Sequence, residues 1–245
     1  MVSGAWTETL DEAEAAIAAL RAGGVRVHCL TNAVAQNFTA NVLLACGATP
    51  SMTVNPDESV RFTDAADALL VNLGTLDADR RAAMAASTAA ALAAGKPVVL
   101  DPVMCQLSPP RLAFARELLA RRGLILKANA AEAAALGQAP AALRVVTGPV
   151  DRIETQDRAC GIANGHPLMG RVVAVGCALG AVIAALGARA GDPAGAALAG
   201  LAWFGVAGEV AARKAAGPGS FAVAFLDALA ALDAATVRAR ARIVP

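Results

Sequence analysis

Residues 68–101 read ALLVNLGTLDADRRAAMAASTAAALAAGKPVVLD and carry the pattern from which the fold class is predicted. A continuous apolar run over residues 68–73 is followed by an alanine-rich stretch, residues 77–94, that Gly95 ends. A second apolar run then covers residues 97–101. Short apolar strands that do not alternate, separated by a helix, are typical of a parallel sheet covered on both faces. The stretch therefore predicts one strand–helix–strand unit.

The same alternation of strands and helices extends in both directions along the chain. Further strands are predicted at residues 25–30, 51–54, 124–127 and 143–148, and a hairpin is predicted from residues 151–155 and 158–163. From Gly176 onward every segment is predicted to be helical. We predict an α/β fold of three layers (αβα) around a mostly parallel sheet. No linker or charge block divides residues 1–245, so we expect a single domain.

Composition excludes several classes of function. The 245-residue chain has a formal net charge of +1 and no basic stripe, so neither nucleic acid nor an anionic membrane is an expected partner. Its five cysteines are scattered without a C-x-x-C pair, which argues against a disulfide framework or a zinc site. Residues 1–20 lack the pattern of a secretion signal, and residues 172–188 fall just short of a membrane span. We expect a cytoplasmic protein.

Polar residues follow the predicted strands at the end where ligands bind in parallel sheets. They are Thr31, Asn32, Asn72, Thr75, Asp101, Lys127, Asn129 and Thr147. Asp101 and Glu132 belong to successive strand–loop units and could converge on one magnesium ion (Mg2+). Lys127 could supply a positive charge to a phosphate group. The alternative is that the two carboxylates cap helices and that Lys127 is a solvated strand end.

Residues 164–180, NGHPLMGRVVAVGCALG, predict a loop that leads into a helix opening near Gly176 and Cys177. The first N–H groups of such a helix are unpaired and attract anions. Cys177 would then be a thiol beside an anion site, where ionisation is easier than for a free cysteine. A cysteine among Ala, Val and Leu is otherwise an ordinary small buried hydrophobe.

Seven blocks of sequence together resemble the hydroxyethylthiazole kinases, ribokinase-like enzymes of thiamine salvage, and extend over nearly the whole chain. They are VHCLTN (27–32), NFTANVLLACGATPSM (37–52), NLGTL (72–76), VVLDPV (98–103), VTG (146–148), NGHPL (164–168) and GPGSF (217–221). The resemblance implies a ribokinase-like homotrimer with active sites at subunit interfaces. It implies transfer of the ATP γ-phosphate, with magnesium, to the hydroxyl of 4-methyl-5-(2-hydroxyethyl)thiazole.

The resemblance also implies roles for individual residues. Cys177 falls at the catalytic position, and Met52, Ala174 and Gly176 fall at substrate-binding positions. Asn32, Lys127 and Thr147 match ATP-binding positions. Asp101 and Glu132 fall near the metal.

Several departures from the family pattern lie at the phosphate end. The usual Thr-Gly-x before Gly-Cys is Val173-Ala174-Val175, and alanine adds a Cβ where glycine permits positive φ. Residues 104–107, MCQL, replace a glycine-rich loop, and Lys127 replaces an arginine. The connection from Glu132 to Thr147 lacks a helix found in relatives but still suffices for a parallel crossover.

Three hypotheses follow from these matches and departures. An active hydroxyethylthiazole kinase comes first, because a pure binding protein has no common reason to retain Cys177, Asp101, Glu132 and Thr147. The second is a catalytically impaired relative that binds a thiazole or a related small molecule without transferring phosphate. The third is a kinase of another small alcohol, whose pocket is altered by residues 104–107.

Overall fold

The computed structural model describes residues 4–138, 141 and 143–245 of the chain. Nine strands in this part of the chain form one sheet. They are β1 Val25–Leu30, β2 Ala48–Met52, β3 Ala68–Asn72, β4 Val98–Asp101, β5 Ile125–Asn129, β6 Leu143–Thr147, β7 Asp151–Glu154, β8 Ala159–Ile162 and β9 Ile243–Val244.

Ten α-helices and two 3-10 helices connect and cover these strands within the described ranges. The α-helices are α1 Gly4–Arg21, α2 Gln36–Ala45, α3 Pro56–Ala65, α4 Ala78–Ala93, α5 Pro109–Leu119, α6 Ala130–Leu136, α7 Val175–Gly187, α8 Pro193–Ala212, α9 Pro218–Ala231 and α10 Ala234–Arg240. The 3-10 helices are Cys105–Leu107 and Pro167–Arg171.

The strand order across the sheet is β2-β1-β3-β4-β5-β6-β7-β8-β9. The strands from β2 to β6 pair in parallel, and β7, β8 and β9 extend the sheet with antiparallel pairs. The mostly parallel sheet and the β7–β8 hairpin are therefore confirmed. The prediction that everything after Gly176 is helical is wrong at β9, where Ile243 lies opposite Ile162. A two-residue strand has no periodicity to read, and its pairing depends on a distant part of the chain.

Two hydrophobic cores lie on opposite faces of the sheet, which confirms the three-layer architecture. Successive residues of β3 alternate between them: Leu70 packs into the core with α7 and α8, whereas Leu69 and Val71 pack with α4 and α5. This alternation follows from the twofold period of a strand. Both faces of β3 are fully buried, which explains why its sequence is apolar throughout.

Helix α8 has the length and apolar composition of a membrane-crossing helix, yet 89% of its 18-residue apolar window is buried inside the protein. It packs between α1, α7 and α9 as a core helix. The shorter α7 is also buried over residues 178–186, as predicted for the apolar stretch that contains it. Apolarity all around these two helices follows from their central position.

The described residues of the short connection between β5 and β6 form one helix, α6, before β6 begins at Leu143. Residues 139, 140 and 142 of this connection lie outside the described residues. β5 and β6 pair in parallel with Asn129 opposite Thr147, so the crossover closes the sheet as predicted. It also brings the ends of both strands to the edge at which β1, β3 and β4 end.

Candidate active site

Three side chains at neighbouring strand ends form a chain of hydrogen bonds. Asn32 Nδ2 donates to Asn72 Oδ1 at 3.0 Å, and Asn72 Nδ2 donates to Asp101 Oδ2 at 2.9 Å. Asn72 and Asp101 lie opposite each other in the β3–β4 register. The parallel sheet therefore brings residues that are far apart in sequence together in one polar cluster.

Close backbone packing holds this cluster in place. The Gly74 N–H donates to Asn72 Oδ1 at 3.1 Å. A Cβ on Gly74 would lie 2.7 Å from the Cβ of Asn32, closer than side chains tolerate. Glycine is required here so that the loop after β3 can lie against Asn32.

Lys127, in the middle of β5, adds a positive charge to the cluster. Its Nζ lies 3.2 Å from Asp101 Oδ2, and the two side chains are 7% and 1% exposed. Burial alone would lower the pKa of Lys127, but the Asp101 carboxylate, with help from Glu132, raises it overall. Lys127 is therefore a stable cation that faces the sheet edge.

The N-terminus of α7 faces this cation. A Cβ on Gly176 would lie 3.7 Å from Lys127 Nζ. At the start of α7, the Ala178 N–H donates a hydrogen bond to the Ala174 carbonyl at 2.8 Å. Ala174 has no side chain that could cap the helix, so within the described residues the first-turn N–H groups, including those of Gly176 and Cys177, are left to a ligand.

The altered turn before α7 is strained at one residue. Ala174 has φ +72° and ψ −1°, in the left-handed region that costs an L-residue energy. This is the conformation for which the family's glycine is suited. The apolar substitutions thus preserve the backbone donors, at the expense of strain at Ala174.

Cys177 joins the polar cluster through its sulfur, which accepts a hydrogen bond from Asn32 Nδ2 at 3.6 Å. Burial raises the pKa of the Cys177 thiol and the Asp101 carboxylate raises it further, while Lys127 acts in the opposite direction. The expectation of an easily ionised thiol is therefore wrong. Loss of water around the sulfur outweighs the neighbouring ammonium.

Both carboxylate oxygens of Glu132 accept hydrogen bonds from backbone N–H groups. Its Oε1 accepts from the Met104 N–H at 2.8 Å, and its Oε2 accepts from the Asn129 N–H at 2.8 Å. Asn129 Oδ1 in turn accepts from the Glu132 N–H, which completes a capping box at the start of α6. Glu132 thus fixes the loop after β4, as the helix-capping alternative predicted.

Asp101 is better suited than Glu132 to a metal. In the described part of the chain, its hydrogen bonds end on Oδ2, which leaves Oδ1 for a metal or a metal-bound water. No group of three or more His, Cys, Asp or Glu that could hold a metal occurs among the described residues. Mg2+ is commonly held by one or two carboxylates together with substrate phosphates, so this donor set fits it.

A cavity of about 610 Å³ opens in front of α7. Its wall is formed by the β6–β7 turn, the loop before α7, the first turn of α7, and Phe204 of α8. The lining residues are Thr147, Gly148, Pro149, Asp151, Asn164, Gly165, His166, Pro167, Met169, Gly170, Val175, Gly176, Leu179 and Phe204. Two of the sequence-predicted residues, Thr147 and Gly176, therefore share one cavity. Thr147 Oγ1 donates to the Ala128 carbonyl at 3.4 Å, which turns the side chain towards β5.

Asp151 is a residue in this cavity that the sequence did not single out. Burial raises its pKa to about 6, against the opposing effects of the Gly148 N–H and the charge of Lys127. Its Oδ1 accepts from the Gly148 N–H at 2.9 Å. Asp151 begins the hairpin strand β7, and that position alone gave no signal of a site.

Met52 lies apart from the cavity. It ends the edge strand β2, opposite Cys29 of β1, and is only partly buried against the core. Within the described residues, no element flanks β2 on its outer side in the sheet. The structure thus brings Asn32, Asp101, Lys127 and Cys177 together and leaves Met52 at the sheet edge.

A model of the hydroxyethylthiazole kinase family matches residues 17–144 and 133–235. The chain belongs to the hydroxyethylthiazole kinase family. Membership confirms the resemblance.

Individual members of the hydroxyethylthiazole kinase family agree with this assignment. The chain is 47% identical over 218 residues to a probable hydroxyethylthiazole kinase of Agrobacterium fabrum, with 89% of each chain covered. It is similar to the solved hydroxyethylthiazole kinase of Pyrococcus horikoshii, with TM-score 0.88, 34% identity, and 96% and 98% of the two chains covered. A ribokinase-like superfamily protein of Enterococcus faecalis gives TM-score 0.63 at 12% identity, with 88% of each chain covered. The predicted ribokinase-like fold is thereby confirmed.

Proposed function

We propose that this chain transfers the γ-phosphate of ATP to the hydroxyl of 4-methyl-5-(2-hydroxyethyl)thiazole, as a step in thiamine biosynthesis or salvage. The observation that carries the proposal is the position of Lys127 between Asp101 and the uncapped N-terminus of α7. A cation and free N–H groups that converge on one point suit an incoming phosphoryl group. Family membership supports the choice of substrate.

The chemistry at the phosphate end rests on positioning and charge. The transition state of phosphoryl transfer carries its charge on the three equatorial oxygens. Backbone N–H groups of Gly176 and Cys177 would donate to these oxygens, and Lys127 would offset their charge. Asn32 would approach the same phosphate, and Thr147 would contact the nucleotide in the cavity.

Magnesium fits this arrangement through Asp101, with Glu132 contributing charge while it holds the loop after β4. When bound, the ion neutralises charge on the ATP phosphates. Both carboxylates remain proposals as metal-site residues.

Cys177 would meet the substrate hydroxyl as a neutral thiol. In a loose transition state the alcohol needs little prior deprotonation, so a thiol with a raised pKa can still orient it. Cys177 would accept the hydrogen bond of the hydroxyl while Asn32 holds the sulfur. Ala174 and Gly176 would bound the substrate on the other side.

We also propose that Met52 lines the thiazole pocket and that a homotrimer completes this pocket. Met52 is at an open sheet edge, where its own chain encloses it only partly. Val34, after β1, and Val173, before α7, are each 67% exposed at the same end of the sheet. A neighbouring subunit would bury such side chains. Sedimentation velocity is expected to give the mass of three chains, and a monomer under assay conditions would contradict this.

The same proposal places the chain in the cytoplasm as a single domain, with ATP and a thiazole alcohol as its small-molecule partners. Nucleic acid and membranes have no part in it. The near-neutral formal charge of +1 supports this choice of partners.

Titration calorimetry tests the function directly. A non-hydrolysable ATP analogue with magnesium and the thiazole alcohol are each titrated into the protein, and ADP release is followed in a coupled assay. Binding of both ligands, with turnover that falls in Cys177→Ala, supports the kinase. Thiazole binding without nucleotide affinity at millimolar concentration contradicts it.

That second outcome would instead support a catalytically impaired relative that binds the thiazole. The strain at Ala174 and the raised pKa of Cys177 are the observations that favour this alternative. A third possibility is phosphorylation of another small alcohol, because Met104 and Leu107 expose 51% and 71% of their surface beside the site. Turnover with other alcohols but not with the thiazole would identify this case.

A further inference from the structure

The loop over residues 164–170 forms a large share of the cavity wall. Residues 164–166 have no regular secondary structure, and the rest of the loop belongs to the short 3-10 helix Pro167–Arg171. Gly165 within it has φ +140°, a conformation that L side chains rarely adopt. A loop of this kind needs contacts from elsewhere to keep a defined shape.

Glu209, in the last turns of α8, supplies such contacts. Its Oε1 accepts hydrogen bonds from Asn164 Nδ2 and from the Gly165 N–H, both at 3.1 Å. The same oxygen accepts from the Arg242 guanidinium at 2.6 Å. One carboxylate thus joins the start of the cavity loop to the segment that leads into β9.

The segment before β9 holds Asn164 from the other side. The Arg242 N–H donates to Asn164 Oδ1 at 2.6 Å, and Asn164 Nδ2 donates to the Arg240 carbonyl at 3.0 Å. The Ala163 N–H donates to the Arg242 carbonyl at 2.9 Å. Asn164 is only 6% exposed, so these bonds replace contacts that water would otherwise make.

Helix α8 is shaped to receive this loop. A Cβ on Gly205 would lie 2.4 Å from the Cβ of Asn164, and a Cβ on Gly208 would lie 2.4 Å from Met169 Sδ. Gly205, one turn before Glu209, and Gly208, directly before it, therefore let the loop lie directly on the helix. The carboxylate and the glycines together hold the loop against α8.

We propose that Glu209 is a positioning residue for the nucleotide, which holds the wall of the cavity by pairing with Arg242 and binding the backbone at Gly165. Glu209 does not line the cavity, so it acts only through Asn164 and Gly165. The inference rests on the proposed function, in which this cavity takes the nucleotide. By this inference, Glu209 affects the binding of the nucleotide, whereas the cluster around Asp101 acts on the phosphoryl group.

The test compares Glu209→Ala and Glu209→Gln with the wild type. Glutamine keeps an oxygen that can accept from Asn164 and Gly165 but loses the charge that pairs with Arg242, so its effect is expected to be intermediate. Glu117→Gln is the matched control, because Glu117 pairs with Arg81 in an exposed ion pair on α5. Calorimetry measures Kd for the magnesium–ATP analogue and for the thiazole alcohol, and steady-state assays give KM for each substrate.

We expect Glu209→Ala to raise Kd and KM for ATP by about tenfold or more, since small displacements of binding groups carry large penalties. Kd for the thiazole alcohol is expected to stay within about twofold, because in the described part of the chain Glu209 accepts no hydrogen bond from the polar cluster around Asp101. Arg242→Ala is expected to reproduce part of the change. Glu117→Gln is expected to leave every constant unchanged.

Equal losses of affinity for ATP and thiazole would show a general structural defect and overturn the inference, as would no loss for ATP. If Glu209→Ala does not fold, the same decision is made on Glu209→Gln and Arg242→Ala. A wild-type protein that binds no nucleotide would instead refute the proposed function. The two failures are therefore distinguishable.

Discussion

Lys127 Nζ lies 3.2 Å from Asp101 Oδ2, in an ion pair whose members are 7% and 1% exposed. A pair this deeply buried is costly to desolvate, and well-packed apolar side chains could replace it without loss of stability. In the proposed function, this ion pair is retained because of its place at the N-terminus of α7. The pair holds a cation at the point where helix N–H groups converge.

Asp101→Asn is expected to lower the free energy of unfolding by about 3 kcal/mol, because it leaves the Lys127 charge buried without its counter-ion. Asp101→Asn combined with Lys127→Met is expected to recover most of this stability while remaining inactive. Urea unfolding and the coupled ADP assay measure the two quantities. Activity in the double variant would show that the pair is structural.

Cys177 is expected to react slowly with iodoacetamide at pH 8, because the thiolate is the nucleophile and burial raises the pKa of the thiol. Labelling followed by mass spectrometry gives the rate, and N-acetylcysteine is the reference. Cys177→Ser identifies the labelled peptide, and the other four cysteines are buried. Labelling faster than the reference would mean that the thiol is ionised.

Ala174→Gly is expected to raise the free energy of unfolding by about 1 kcal/mol, since it relieves an alanine at φ +72°. The same change restores the backbone freedom at the entrance to α7, so kcat is expected to stay equal or rise. Urea midpoints and the ADP assay provide the measurements. Ala178→Gly, in the helical part of α7, is the control and is expected to destabilise.

The raised pKa of Asp151 is expected to make the free energy of unfolding depend on pH. Its folded pKa of about 6 exceeds the unfolded value, so its contribution is fully present below pH 4 and is lost as pH rises through 6. Asp151→Asn keeps an acceptor for the Gly148 N–H and removes the loss of stability that comes from burying the ionised carboxylate at high pH. Urea unfolding is expected to show a more stable variant at pH 7.5 and little difference near pH 4. A constant difference across this range would contradict the assignment.

The sequence predicted the central strands because a strand buried on both faces, such as β3, is apolar at every residue. It also contained the signal for Glu132: Asn129 followed three residues later by glutamate is a helix-start pattern. These two features depend on local sequence, and local sequence was sufficient. The positive φ at Ala174 was expected only from the resemblance, because the family has a glycine at this position.

Other features required the folded chain. The raised pKa of Cys177 depends on burial and on Asp101, which is 76 positions away (177 − 101). Asp151, the first residue of a hairpin strand, has no sequence pattern that indicates a site. Glu209 contacts Asn164, which is 45 positions away. No periodicity in sequence reports that a particular pair of distant residues will touch.

The bonds at Asn164 have a further consequence, for chemical ageing. Asn-Gly sequences deamidate readily, because the glycine nitrogen attacks the asparagine side chain to form a succinimide. Here the Gly165 nitrogen donates to Glu209, and three hydrogen bonds fix the Asn164 amide. We expect aspartate and isoaspartate to accumulate slowly at Asn164 in the folded enzyme and rapidly in Glu209→Ala, as followed by mass spectrometry. Equal rates in both proteins would contradict this expectation, whereas a difference would mean that the bonds shaping the cavity also set the protein's shelf life.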